Sequence, residues 1–165
     1  VQGETNCWGL NSFSQSNPPT SVSFEFLATG NLFTCGLKSD GQVQCWGSVA
    51  STSSTFVQID AFASHICGLL DTGEIDCWSG LSQPPAGPFL EVEIGNDKVG
   101  GVKMDRTVDA WELSTALAPP FDLELSQFTV GENMSCGRTM DGYVQCWGGF
   151  EEIAFDGIQT WKGGN

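Results

Sequence analysis

The sequence predicts an all-β protein, a five-bladed β-propeller with short blades of three to four strands, the last blade closed by the N-terminal strand. Three observations carry this reading. Tryptophan recurs at Trp8, Trp46, Trp78, Trp111 and Trp147, with spacings of 38, 32, 33 and 36 residues, and a bulky residue at so regular a period marks a repeat architecture. Inside the repeat, Cys35 and Cys45, Cys67 and Cys77, and Cys136 and Cys146 each stand ten residues apart. The final repeat is divided between the two ends. FEEIAFDG (150–157) and IQTWKG (158–163) match the first two strands of a unit, while GETNCWG (3–9) matches GQVQCWG (41–47) without a gap. A split repeat suits a ring, because pairing the first strand with the last ones fastens the circle, whereas an open solenoid needs polar caps.

The blades run over about 10–47, 48–79, 80–112, 113–148, and 149–165 together with 1–9, in a single domain. In each unit an alternating apolar strand leads through a turn into a second strand, and a tight loop leads into a third strand bearing the Trp. The first strands are FEFLATG (24–30), FVQIDAF (56–62), FLEVEIG (89–95) and LSQFTVG (125–131). Period-2 alternation puts Leu27 with Thr29, Ile59 with Ala61, Val92 with Ile94, Phe128 with Val130 and Ile153 with Phe155 on one face. Ser39-Asp40-Gly41, Asp71-Thr72-Gly73 and Met140-Asp141-Gly142 read as three-residue hairpin loops whose glycine takes the left-handed position. Proline pairs at Pro18-Pro19, Pro84-Pro85 and Pro119-Pro120 mark the linkers between units.

A three-residue loop places Cys35 opposite Cys45, Cys67 opposite Cys77, and Cys136 opposite Cys146, within bridging reach if the pair is non-hydrogen-bonded. In the third unit both positions change together, to Gly100 and Ala110, as expected of bonded partners. Buried free thiols are the alternative, and zinc is disfavoured because two cysteines per radial blade do not converge four ligands on one point. Three disulfides point to an oxidising, extracytosolic compartment. Cys7 is left over as a free thiol, because its partner position in the split blade is occupied by Trp161.

Composition narrows the function. The chain holds 20 Asp and Glu against 6 Lys and Arg, a net charge of −14, which repels phosphate backbones and argues against nucleic acid as a partner. No apolar run is long enough to span a bilayer, and the start at Val1 within a repeat reads as a processed, secreted terminus. Asn133-Met134-Ser135 is an N-glycosylation sequon.

The unit Cys-Gly-Leu-x-Ser-Asp-Gly-x-Val-x-Cys-Trp-Gly at 35–47 resembles the repeats of the regulator-of-chromosome-condensation (RCC1) family, in the cysteine-bearing form seen in extracellular propellers. The resemblance is strong over 32–47, 64–79 and 133–148 and weakens in the third unit. It implies a propeller fold. The nuclear members' role in nucleotide exchange and chromatin contact does not carry over to so acidic a chain. The extracellular group implies ligand binding. Family members usually carry seven longer blades, whereas five short ones are counted here.

Candidate binding residues are Asp60, Glu91, Glu93, Glu152 and Trp161. Asp60, Glu91 and Glu93 alternate against the apolar positions of the first strands, which line the channel of a propeller, as Glu151 and Glu152 do. There the acids form a solvated ring, a Ca²⁺ site at Asp60, Glu91 and Glu93, or a carboxylate pair for glycoside hydrolysis. The repeated tryptophans either pack between blades or offer sugar-stacking platforms. His65, the one histidine, fits a packed core position. Lys98, Lys103 and Arg106 gather half the basic residues in the third unit, within reach of Asp97, Asp105 and Asp109. The leading expectation is a secreted, multivalent, lectin-like protein that is not an enzyme and needs no cofactor. Alternatives are an extracellular protein-interaction module (inhibitor, effector or receptor-type) and a small hydrolase.

Overall fold

A computed structural model of the chain describes residues 4–79, 84–95, 98–111, 123–132, 134–148 and 161–162, the last two by backbone alone. The strands are β1 (Phe26–Thr29), β2 (Phe33–Leu37), β3 (Val43–Gly47), β4 (Gln58–Phe62), β5 (His65–Leu69), β6 (Ile75–Ser79), β7 (Phe89–Gly95), β8 (Lys98–Lys103), β9 (Val108–Trp111), β10 (Leu125–Val130), β11 (Met134–Thr139), β12 (Tyr143–Gly148) and β13 (Trp161–Lys162). They form antiparallel sheets in the orders β1–β2–β3, β4–β5–β6, β7–β8–β9 and β10–β11–β12–β13. The described residues thus make four consecutive blades, with the first strands β1, β4, β7 and β10 each adjoining the next.

The hairpins follow from their loops. Lys38 N–H donates to Gln42 O, and Gly41 N–H to Lys38 O, so residues 39–41 form the loop and Cys35 falls opposite Cys45. Gly41, Gly73 and Gly142 hold φ of 79°, 83° and 90°, the left-handed conformation that only glycine adopts without strain. In the third unit Arg106 takes this place at φ 70°. The same loop residues link neighbouring blades: the Gly41, Gly73 and Arg106 carbonyls accept from Phe56, Phe89 and Leu125 N–H at 2.8, 2.7 and 2.8 Å.

All three disulfides form as the register requires, Cys35–Cys45, Cys67–Cys77 and Cys136–Cys146, with Cα–Cα distances of 4.0, 4.1 and 4.0 Å. Such closeness belongs to the non-hydrogen-bonded pairing, and the Cys45 amide accordingly points away from Cys35, donating to Ser51 Oγ at 2.9 Å.

The core lies between blades. Ile59 and Phe56 of the second blade join Cys35, Leu37 and Val43 of the first in one cluster. Val92, Ile94 and Phe89 of the third join Cys67, Cys77 and Ile75 of the second. Between the third and fourth, Phe128 and Leu125 meet Val102. At the first two seams the preceding blade offers its cysteine pair, and the following blade covers that pair with an apolar residue of its first strand.

Among the described residues the expected split blade does not appear. Residues 4–9 carry no strand, and Trp161–Lys162 pairs with β12, Val144 opposite Trp161 and Tyr143 opposite Lys162. Trp161 therefore sits on the outer edge of the fourth blade rather than across from Cys7. Local propensity identified a strand at both termini, but adjacency in the chain favoured pairing with the sheet already beside it. Among the described residues there are four blades; the expected first strand of the fifth, at 150–157, lies outside them.

Candidate functional site

The inner edge of each first strand presents amides that its own sheet does not use, and an uncapped sheet edge is a liability. At the two later seams, side chains of the preceding blade cap them. Gln58 of β4 clamps Val92 of β7 through both ends of its amide: Oε1 accepts from Val92 N–H at 3.2 Å and Nε2 donates to Val92 O at 3.0 Å. Asp60 Oδ2 accepts from Ile94 N–H at 2.7 Å, and Oδ1 from Ala61 N–H at 2.9 Å. One blade further on, Glu91 occupies the repeat position of Gln58, and its Oε2 accepts from Phe128 N–H at 3.1 Å. Glu93, equivalent to Asp60, is hydrogen-bonded by the Thr129 hydroxyl.

Asp60, Glu91 and Glu93 therefore lie near enough to feel one another's charge, and they act as latches between blades. Burial raises all three carboxyls above their ordinary range. For Glu93 the charges of Asp60 and Glu91 add to the desolvation, pushing it up to about 8. Among the described residues no three His, Cys, Asp or Glu side chains group closely enough to hold a metal ion. Glu151 and Glu152 lie outside the described residues, as do the Trp161 side chain, Asp97 and the Asn133 sequon.

The tryptophans pack at the seams. Trp46 lies on Phe24, Trp78 on Phe56 and Trp111 on Phe89, with ring centroids 5.6, 5.1 and 6.0 Å apart. The fourth unit has Leu125 in place of that leading phenylalanine, and Trp147 stacks on Phe128 instead, at 5.9 Å. These four offer no row of open platforms. Trp8 does: it is 88% exposed.

That exposure belongs to an open end. Ile59, Val92 and Phe128 are 7%, 0% and 1% exposed because the preceding blade covers them, whereas Leu27 at the same repeat position is 48% exposed. Phe26 beside it and Leu10 and Phe13 of the preceding segment are exposed as well. Trp8, Leu10 and Leu27 share a groove of about 370 Å³ with Asn6, Gln15 and Asn31. The period-2 pattern identified Leu27 as core-facing; what it lacked was the neighbour. The mark of this surface in the sequence is a unit whose Trp-bearing segment precedes the first complete repeat.

Other expected residues sit as follows. Cys7 is free and half-buried. His65 opens β5, partly buried, with Nδ1 3.3 Å from Ser79 O. In the third blade Lys103 pairs with Asp109 at 2.8 Å, and Lys98 Nζ donates to Glu132 O of the fourth blade, so its basic residues brace the fold locally.

Repeated three-stranded sheets joined through their first strands define a disulfide-braced repeat protein of the propeller type. Its repeats are RCC1-like: residues 25–48 match the Regulator of chromosome condensation (RCC1) repeat. Searching curated proteins by sequence returned no significant match. Among solved structures, the CRINKLY WD40 ectodomain of the Arabidopsis thaliana receptor kinase ACR4 is similar at 30% identity and TM-score 0.67, over 78% of this chain and 51% of that one. The entire ectodomain of the Physcomitrella patens receptor kinase CR4 is similar at 23% identity and TM-score 0.66, over 77% and 39%. Human WBSCR16 shares the fold at 16% identity and TM-score 0.70, over 92% and 59%. The chain thus spans about half the length of the ACR4 ectodomain.

Proposed function

We propose that the chain is an extracellular protein-interaction module whose docking surface is the open leading face of the first blade. One observation carries this: Leu27 lies half-exposed where its three repeat equivalents are buried, with Trp8 and Leu10 exposed in the groove around it. Contiguous apolar and aromatic surface of this kind marks interaction sites. Three disulfides and the likeness to a receptor-kinase ectodomain support an extracellular setting. No catalytic role is proposed, because Asp60 and Glu91 already spend oxygens on backbone amides, and calcium is not part of this reading.

Carbohydrate recognition is the second reading. It is favoured by Trp8 beside the amides of Asn6, Gln15 and Asn31 in an uncharged groove, the mixture of aromatic face and hydrogen-bonding groups that suits a neutral sugar. Binding to panels of purified extracellular domains and of glycans, each with wild-type and Leu27→Asp protein, separates the two. Protein binding lost in the variant supports the proposal. Binding confined to glycans replaces it with the second reading.

A further inference from the structure

Resting on the reading of the leading face as a docking surface, we infer that its partner is a second copy of this chain, joined head to tail. The three internal seams show what covers such a face. Each time, an apolar first-strand residue sits on the cysteine-pair positions of the preceding blade, and at two seams a Gln or Glu of the preceding blade caps the amide of that same residue. The leading half of this interface is open at Leu27.

The trailing half belongs to the fourth blade, and among the described residues it is open too. Cys136 is half-buried, whereas Cys35 and Cys67 are fully buried. Gln127 and Thr129 are exposed, although their repeat equivalents Gln58, Asp60, Glu91 and Glu93 are half-buried in seams. The two ends are therefore complementary halves of one contact that the chain already builds three times. Docking seats Leu27 of one copy on Cys136–Cys146 of the other. Gln127 then clamps the backbone of Leu27 as Gln58 clamps Val92.

Charge permits the approach. The positions that would meet are Gln127 and Thr129 on one side and Leu27 and Thr29 on the other, all neutral, so no ionised carboxylate is buried at the latches between two chains of net charge −14. The long-range repulsion that remains is screened at physiological salt. Head-to-tail contacts close only when the rotation fits. The assembly inferred is closure after two copies, each supplying the four blades described.

The test is sedimentation velocity with light scattering on the intact chain, from roughly 1 to 100 μM, where a modest interface populates both states. Two-copy particles are expected. Leu27→Asp, a half-exposed position at which the chain still folds, leaves single copies. Gln127→Ala weakens association by roughly tenfold, the loss expected for a clamp of this type. A wild-type chain that stays single throughout, a pair that survives Leu27→Asp, or open-ended growth each overturns the inference. A single copy that captures another extracellular protein in a Leu27-dependent way overturns it while leaving the proposed function standing. If Leu27→Asp alters neither self-association nor capture, the docking face itself is wrong.

Discussion

The ring of Phe128 occupies the place of a missing disulfide. A Cβ built on Gly100 would lie 2.4 Å from Phe128 Cε1, and Gly100 pairs with Ala110 at the register where the other complete hairpins carry cysteines. At the same repeat position the second and third blades have Ile59 and Val92, which cover real cysteine pairs. Bulk lost from one blade is thus restored by the next, and the two positions vary as a unit.

Phe128→Ala should cost about 3–5 kcal/mol, the range for removing a buried aromatic and leaving its cavity. Restoring Cys at positions 100 and 110 while keeping Phe128 should also destabilise the chain, through overpacking. Adding Phe128→Val to that pair should relieve the clash and let the fourth disulfide form. Denaturant unfolding and a thiol titration read both outcomes.

Stability should fall as the solution becomes alkaline. The Glu93 carboxyl is raised from 4.5 to about 8 by burial and by the charges of Asp60 and Glu91. A carboxyl with a raised folded-state pKa contributes stability that is complete below its unfolded pKa and is lost as pH rises through the folded one. The melting temperature should therefore be lower at about pH 9 than at about pH 6, the fall beginning in the ordinary carboxyl range and levelling off above about 8. Glu93→Gln should flatten this dependence, and a variant with an unchanged profile would remove Glu93 from the account.

Gln58→Leu should cost about 1–3 kcal/mol, since it leaves both the N–H and the carbonyl of Val92 without their clamp. The magnitude is that of unsatisfied polar groups at a seam. Thermal unfolding measures it.

Arg106→Gly should stabilise the third hairpin by about 0.5–1 kcal/mol. Arg106 holds φ at 70°, where a side chain is strained and glycine is not. Its Leu125-accepting carbonyl is unchanged by the substitution, so the seam survives.

Much of this architecture was legible in the sequence because hairpin register is local. The loop at 39–41 fixes Cys35 against Cys45, and the same counting placed the other two disulfides. The seams were harder to read. Asp60 and Glu91 were identified on adjoining first strands, but their partners are backbone amides of Ile94 and Phe128, which carry no residue-type signal. The expected pairing of the two ends does not appear among the described residues, for a related reason. The match of 3–9 to 41–47 concerns strand propensity, whereas pairing depends on which edge is near, and Trp161 found the edge of β12. The exposure of Leu27 had no signal in its own strand, whose alternation is that of its buried equivalents.

Amide hydrogen exchange by NMR, at a concentration low enough to keep single copies, tests the central claim most directly. The claim is that the second and third seams are latched by side chains and the first blade's leading face is open. Val92, Ile94 and Phe128 amides, capped by Gln58, Asp60 and Glu91, should be strongly protected, while the Leu27 amide should exchange at nearly the rate of an unprotected chain. Protection of Leu27 equal to that of Val92 would contradict the open face.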